Sequence, residues 1–425
     1  MAKKITVPRG TTDILPPEIS LWQNIESTAR KILDIYNYKE IRTPIFEEVG
    51  LFKRSLGQTT EVVNKQLLEL ASNKEEGFAL RPEGTASIVR SYIENSIDRK
   101  ESLTKFCYIG PMFRGERPQK GRLRQFHQIG AEVIGQDCGS PYIDAEVIAL
   151  SVNLLKEFGL DNFKLKLNTL GSAQDREKFA AILREQLKPH RSKLSEDSQK
   201  RLDQNVFRIL DSKDREDQKI IGQLEIGYDH LSTDSREYFG KVKGALDGLG
   251  VKYELSPGLV RGLDYYTHTV FEISDTSLGS QDALGAGGRY NSLVKDLGGA
   301  QVDAIGFALG IERILLALSD KKTLEQLTLN CYIIALDEVA LEKGFELLNQ
   351  LRAEGISADI SFKLSSMKSL MRSANKSQAR YVLILGEEEI KGNVVTLKNF
   401  ESGQQVQVNL SNIKELAETI KNKRV

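Results

Sequence analysis

Cysteine is scarce in this chain of 425 residues: Cys107, Cys138 and Cys331 lie far apart and none forms a Cys-x-x-Cys pair. A disulfide framework and a structural zinc site are therefore excluded as organising elements, and a reducing, cytoplasmic compartment fits best. Histidine is nearly as scarce, with four residues. No second His or Cys stands at ligand spacing from His127, so no metal ligand is assigned; His127 and His268 are read as structural, His190 and His230 as surface residues. Net charge is missing too, since Lys+Arg and Asp+Glu both number 59. A polyanionic partner must then be met by a local basic patch rather than a global field. No stretch approaches the roughly 18 uninterrupted apolar residues of a membrane span. The start reaches Pro8, Arg9 and Gly10 before any apolar run, so no secretory core is expected. There is no internal repeat and no low-complexity tract. What is left is an ordinary water-soluble composition, 40% hydrophobic and 28% charged, long enough for about two to four domains.

Periodicity supplies the organisation. Leu21, Ile25, Ala29, Ile32, Leu33 and Tyr36 recur at helical spacing after Pro17, an amphipathic helix. Residues 106–113 and 125–134 read as the two strands of a long antiparallel hairpin, followed by a helix over about 145–158 and a short strand over 163–167. From about 173 to 238 charges are dense, glycine is rare, and Phe179, Ile182 and Leu183 follow a helical period, which marks an inserted helical subdomain. Strands return over 251–255 and 269–273. The run Gly306 to Arg313 then enters an apolar helix ending near Leu318, and the polar stretch Ser319 to Gln326 reads as a linker. Beyond it, strands over 331–336, 358–362, 381–385, 394–397 and 405–408 with a helix over 341–351 make a separate α/β domain, which shows neither an aromatic platform nor a basic stripe.

The sharpest chemical feature is the hairpin tip Arg114 to Arg124, which sets Arg114, Arg117, Lys120, Arg122 and Arg124 against the single carboxylate Glu116. Arginine forks match phosphate oxygens bidentately, and a loop containing glycine and proline lets several converge on one ligand; taken alone, such a cluster is equally a solvated basic turn. Glu83, Gly84 and Thr85 place a carboxylate and a hydroxyl in a turn between a strand and a helix, where an ammonium group could bind. Glu83 also suits the positive end of that helix on its own account. Arg261-Gly262-Leu263-Asp264-Tyr265-Tyr266 sets a cation, an anion and two rings on a tight turn; adjacent tyrosines in an extended chain point to opposite faces, so one need not be core.

These blocks, in this order, resemble the histidyl-tRNA synthetase family of class II aminoacyl-tRNA synthetases across essentially the full length. The opening Pro8 to Pro16 matches, Ile41 to Glu47 resembles the first class motif, Phe113 to Arg124 the second and Gly310 to Arg313 the third. Leu259 to Tyr266 and Gly285 to Tyr290 resemble the two signatures peculiar to the histidine enzymes. The resemblance implies an α+β fold: a class II catalytic domain over residues 1–325, with a mixed, mainly antiparallel sheet flanked by helices and the insertion at about 173–238, then an anticodon-binding domain over 326–425. It implies a homodimer, ATP and L-histidine as substrates with Mg2+, and tRNA(His) as partner.

The resemblance also implies roles. Arg114 would hold the α-phosphate of ATP, Arg313 the γ-phosphate, and Arg261 would bridge the histidine carboxylate and the α-phosphate, with Glu116 a possible contact for Mg2+. Two anions must be brought together, so permanently charged guanidinium groups suit positioning and charge stabilisation. Glu83, Gly84, Thr85 and Gln128 would surround the α-amino group, while Glu132, Tyr265 and Tyr266 complete the histidine site. Gln128, Gly130 and Glu132 share one face of their strand, with Gly130 leaving room for a ligand. A site that hydrogen-bonds both ring nitrogens rejects apolar side chains, so no editing domain is expected. Arg117 and Gln119 would read the extra guanosine at the 5′ end of the tRNA, with Lys120, Arg122 or Arg124 on phosphates. Residues 65–70 and Gly115 depart from the family pattern without removing a ligand. A silent regulatory paralogue of ATP phosphoribosyltransferase, or a scaffold reused for RNA binding, would have lost the C-terminal domain or the three arginines; both are kept.

Overall fold

The computed structural model describes residues 4–57, 60–71, 77–318 and 329–421. Two compact units are present, Met1–Lys322 and Thr323–Val425. The linker expected at Ser319 to Gln326 lies outside the described residues.

The first unit carries β1 (Lys39–Glu40), β2 (Phe46–Glu48), β3 (Glu69–Leu70), β4 (Phe78–Leu80), β5 (Thr104–Phe113), β6 (Gln125–Gly135), β7 (Lys164–Thr169), β8 (Glu254–Leu255), β9 (Thr267–Ser274), β10 (Ala283–Arg289) and β11 (Asp303–Gly310). Eight of them form one sheet in the order β1-β5-β6-β11-β10-β9-β7-β8, and β2, β4 and β3 form a small second sheet. Only β1 with β5 and β7 with β8 pair in parallel; every other neighbour in the large sheet is antiparallel.

Alternation divides the large sheet into two faces. Ile129, Ala131 and Val133 of β6 and Ile305, Phe307 and Leu309 of β11 join a core completed by the helices Glu18–Ile35, Pro141–Glu157 and Thr233–Gly248. Ile25, Ala29, Ile32 and Leu33 of the expected stripe are buried in the first helix, with Trp22 in place of Leu21, while Leu21 and Tyr36 are only partly buried. The other face carries Gln128 and Glu132 and bounds a cavity.

Several elements differ from expectation. Residues 303–310 are a strand, and only Ile311–Leu318 is helical. Glycine-rich β10 and β11 owe their composition to close neighbours. At Gly306, opposite Glu132 in the pairing register, any side chain would overlap the Glu132 carboxylate, and at Gly287 it would strike the Gly306 carbonyl. The strand expected over 251–255 is ordered as such only at Glu254–Leu255.

The insertion has its own small core of Phe179, Leu183, Leu187, Leu202, Val206 and Ile209 among others. Ile182, on the same helical period, is exposed. His230 is buried, stacked on Phe179 with ring centroids 4.4 Å apart, and not at the surface as expected. The carboxylate of Asp175 closes the base of the insertion: it accepts from Ser172 N at 3.0 Å on the entering chain, and from Ser232 N at 2.9 Å and Ser235 Oγ at 2.6 Å on the leaving chain.

The second unit is a five-stranded sheet, ordered β13-β12-β14-β15-β16 from β12 (Cys331–Ala335), β13 (Ala358–Ile360), β14 (Tyr381–Leu385), β15 (Val394–Asn399) and β16 (Gln405–Asn409). Helices Glu338–Ala353 and Ile413–Lys421 cover one face and Met367–Lys376 the other, as the alternation of Cys331, Ile333 and Ala335 against Tyr332 and Ile334 requires. Phe345 and Phe362 do form an exposed aromatic pair, with centroids 6.3 Å apart.

Candidate active site

A cavity of about 890 Å³ opens on the β6 and β11 face and is lined by Arg114, Arg261 and Arg313 together. Three guanidinium groups from a hairpin end, a turn and a strand-to-helix junction thus meet in one place. The same wall includes Glu83, Thr85, Glu116, Gln128, Glu132, Tyr265 and Tyr266.

Arg114 follows β5 and is fixed by its Nε, which donates to the Pro82 carbonyl at 2.9 Å, and by stacking 5.1 Å from the Phe126 ring centroid. Arg313 donates from Nε to the Gly121 carbonyl at 3.1 Å and from Nη1 to the Ala283 carbonyl at 2.6 Å. Among the described residues neither makes an ion pair with a carboxylate. Burial pulls the pKa of both guanidinium groups down, and for Arg313 repulsion from Arg122 and Arg114 adds to it. They stay charged regardless, so the cavity holds positive charge that an anion would relieve. Arg261 is placed by Glu272, with Nη1 to Oε2 at 2.7 Å, and its buried Nε has no partner.

The acidic side is built with equal economy. Glu83 caps the helix Thr85–Glu94, accepting from Thr85 N at 2.6 Å and Ala86 N at 2.8 Å. Both readings of this residue meet in one geometry, for the cap also holds the carboxylate in the cavity wall. Glu132 is buried and accepts from Thr85 Oγ1 at 2.7 Å and Tyr290 hydroxyl at 2.6 Å. Its desolvation outweighs those two hydrogen bonds and pushes its pKa up to about 8. Gln128 leaves its buried Oε1 without a partner. Gly84 and Gly130 flank the ring of Tyr108; a side chain at either would run into it.

Tyr265 and Tyr266 do not point to opposite faces. Both line the cavity, rings 4.6 Å apart and tilted by 46°, because residues 261–266 are bends and a turn rather than an extended strand. At the hairpin tip Arg117 and Gln119 are exposed, as is Lys120. Arg122 instead forms an ion pair with Glu116, and Arg124 donates to the Glu116 carbonyl at 3.3 Å while its backbone N–H reaches Gly10 O at 2.7 Å. His127 accepts no role in the cavity: its backbone N–H and Nδ1 are bound to Glu312, and Trp22 meets its ring edge-on at 4.8 Å.

Sequence reasoning missed several parts of this wall. Tyr108 carried no local signal, and Tyr290 stood only as the end of a signature block with no role assigned; Gly130, expected to leave room for a ligand, makes room for the Tyr108 ring instead. Glu272, which holds Arg261 from behind the wall, was missed as well. The insertion supplies Arg201, Asn205, Arg208 and Asp211 to the lining; their polar pattern alone reads as a solvated face.

Known proteins share this architecture. A sequence profile described as histidyl-tRNA synthetase matches residues 10–314, and one described as an anticodon binding domain matches 330–422. The chain is 44% identical to the histidine–tRNA ligase of Halothermothrix orenii, over 97% of this chain and 98% of that one. It is 42% identical to that of Pediococcus pentosaceus, over 98% and 100%. The crystal structure of apo histidyl-tRNA synthetase from S. aureus superposes with a TM-score of 0.83 at 35% identity, covering 98% of this chain and 100% of that one. By the profile match over residues 10–314 and the identity along nearly the full length, the chain belongs to the histidyl-tRNA synthetase family.

Proposed function

We propose that the cavity carries out ATP-dependent attachment of histidine to tRNA(His) in protein synthesis. In the first step a histidine carboxylate oxygen bonds to the α-phosphorus of ATP and the bond to the bridging oxygen breaks, giving histidyl-adenylate and pyrophosphate. In the second, the 3′-terminal adenosine of the tRNA takes the histidyl group and AMP leaves.

The observation that carries this reading is the convergence of Arg114, Arg261 and Arg313 on one cavity, two of them without a carboxylate partner among the described residues and thus available to phosphate. Arg114 would take the α-phosphate, Arg313 the γ-phosphate, and Arg261 the histidine carboxylate together with the α-phosphate. No side chain need move a proton for the attack; the arginines offset repulsion and fix the approach. Glu83, Thr85 and Gln128 would receive the α-ammonium group, with Gly84 leaving room for Tyr108. Glu132, Tyr265 and Tyr266 would address the imidazole.

Magnesium would come with the nucleotide. Such a cation is held largely by phosphate oxygens and one or two carboxylates. Glu116 would serve by exchanging Arg122 for the cation, whose charge would neutralise the leaving pyrophosphate.

We further assign residues 1–325 as the catalytic domain, with the insertion at about 173–238, and 326–425 as the anticodon-binding domain. Exposed Arg117 and Gln119 would read the extra guanosine. A homodimer is supported by Ile45 and Phe46, apolar residues of the first motif that are about half exposed in the single chain. No helix among the described residues is long and apolar enough to cross a membrane, and reduced, buried cysteines fit a cytoplasmic protein.

Histidine-dependent ATP–pyrophosphate exchange, followed by charging of tRNA(His), tests the function. Exchange with histidine alone among the amino acids is expected. Exchange with a different amino acid, or none, would overturn the reading.

A further inference from the structure

The turn Arg261 to Tyr266 lines the cavity with Arg261, Leu263, Tyr265 and Tyr266, but Asp264 is not part of that wall. Its carboxylate lies instead under the inserted subdomain. Oδ1 accepts from Asn205 Nδ2 at 3.0 Å and from Arg208 Nη2 at 3.1 Å, with the side chains of Arg208 and Asp264 only 15% and 27% exposed. A second tie runs the same way: Arg176 Nη1 donates to the carbonyl of Tyr266 at 3.0 Å and of Asp264 at 3.4 Å. From the main body, Gly57 lies against the Asp264 carboxylate in a backbone conformation with φ +87, where any side chain would collide. The turn has no strand ladder of its own; its main chain is tied by the Arg176 bonds to the Tyr266 and Asp264 carbonyls together with the Asp264 N–H to Leu56 carbonyl contact at 3.5 Å.

We infer that Asp264 is a positioning residue through which Asn205 and Arg208 of the insertion fix the turn bearing Arg261 and the tyrosine pair, so that histidine activation depends on the insertion. This rests on the function proposed above. It extends it, because activation involves no RNA, and a subdomain that served only the tRNA would leave exchange untouched. Charge explains the choice of residues: a partly buried carboxylate shared by an amide and a guanidinium is stronger and more directional than either neutral pairing.

The test uses the full chain and reads KM for histidine and kcat in ATP–pyrophosphate exchange without tRNA, with thermal melting alongside. Arg208→Ala and Asp264→Ala should each raise KM for histidine about tenfold or more, the loss expected for a charge-assisted hydrogen bond. The double variant should be no worse than the more affected single one, since both remove the same link. Asp264→Asn, which keeps an acceptor for Asn205 and loses the charge facing Arg208, should fall between. If Asp264→Ala does not fold, Arg208→Ala and Asp264→Asn decide the matter by the same KM. A histidine KM within about twofold of the parent in Arg208→Ala, or effects that multiply in the double variant, would overturn the inference. A parent chain that neither binds histidine nor exchanges would overturn the functional reading and this inference with it, whereas normal exchange in parent and variants alike would overturn the inference alone.

Discussion

Tyr290 donates its hydroxyl to Glu132 Oε2 at 2.6 Å, deep in the wall that faces the cavity. The pair sets up the first prediction, because burial raises Glu132 to about 8 even with Tyr290 and Thr85 bonded to it. Near neutrality the empty site therefore keeps a proton on this carboxyl.

Neutral histidine entering that site brings no proton and releases none, so carboxyl and imidazole share one. Below about pH 6.5, the ordinary imidazole value, free histidine carries an extra proton that must be lost on binding. Above about 8 the ionised Glu132 must take one up. Affinity for histidine should therefore be flat between these limits and fall roughly tenfold per pH unit beyond each. Calorimetric titration across pH, repeated with Glu132→Gln, checks this. A steady rise or fall through the neutral range would sink it, as would an alkaline limb unchanged in the glutamine variant.

Arg261→Ala should reduce pyrophosphate exchange by about a hundredfold to a thousandfold, the range seen when one preorganised charge-stabilising donor is removed. The fold should survive, since the abandoned partner Glu272 is 20% exposed and can be hydrated in place. Parallel exchange kinetics and melting curves measure both halves. Near-parent exchange would remove Arg261 from the reaction, and a collapsed melting temperature would make its role structural.

At Gly130 a methyl group would overlap the Tyr108 ring, already wedged against Gly84. Gly130→Ala should cost about 1–3 kcal/mol of stability through overpacking and weaken histidine binding, because Gln128 and Glu132 sit on either side. On a Tyr108→Ala background, itself destabilised by the cavity left behind, the same substitution should cost less than in the parent, because the methyl group then has room. Denaturant unfolding resolves the two; an alanine variant as stable as the parent would mean that the ring moves aside freely.

What the sequence made legible was local in period. Gln128, Gly130 and Glu132 could be assigned to one face because β6 is a long, regular strand in which alternation holds. The same rule failed at Tyr265 and Tyr266, where the chain bends. It also failed to find β10 and β11, whose glycines look like breakers and are in fact clearances for partners far away in sequence, such as Glu132 opposite Gly306. His230 belonged to the insertion by composition, yet its environment depends on Phe179, which no local pattern links to it. The Glu116–Arg122 pair was hidden for a similar reason: five cations on one tip read alike until folding turns Arg122 inward and leaves Arg117 outside.

That last division yields a prediction of its own. Arg117 and Gln119 are exposed, and none of their side-chain atoms is tied to the cavity wall. Replacing either with alanine should leave exchange at the parent rate while lowering kcat/KM for charging tRNA(His) about tenfold or more, the discrimination carried by one good base contact. Arg122→Ala should behave differently, because it strips a buried carboxylate of its cation and so disturbs Glu116 inside the cavity. It should lower exchange and charging together. Measuring both activities on the three variants separates the RNA-facing side of the hairpin tip from its nucleotide-facing side. Equal losses of exchange in Arg117→Ala and Arg122→Ala would mean that the tip acts as one unit, and charging unaffected by either Arg117→Ala or Gln119→Ala would place the guanosine contact elsewhere.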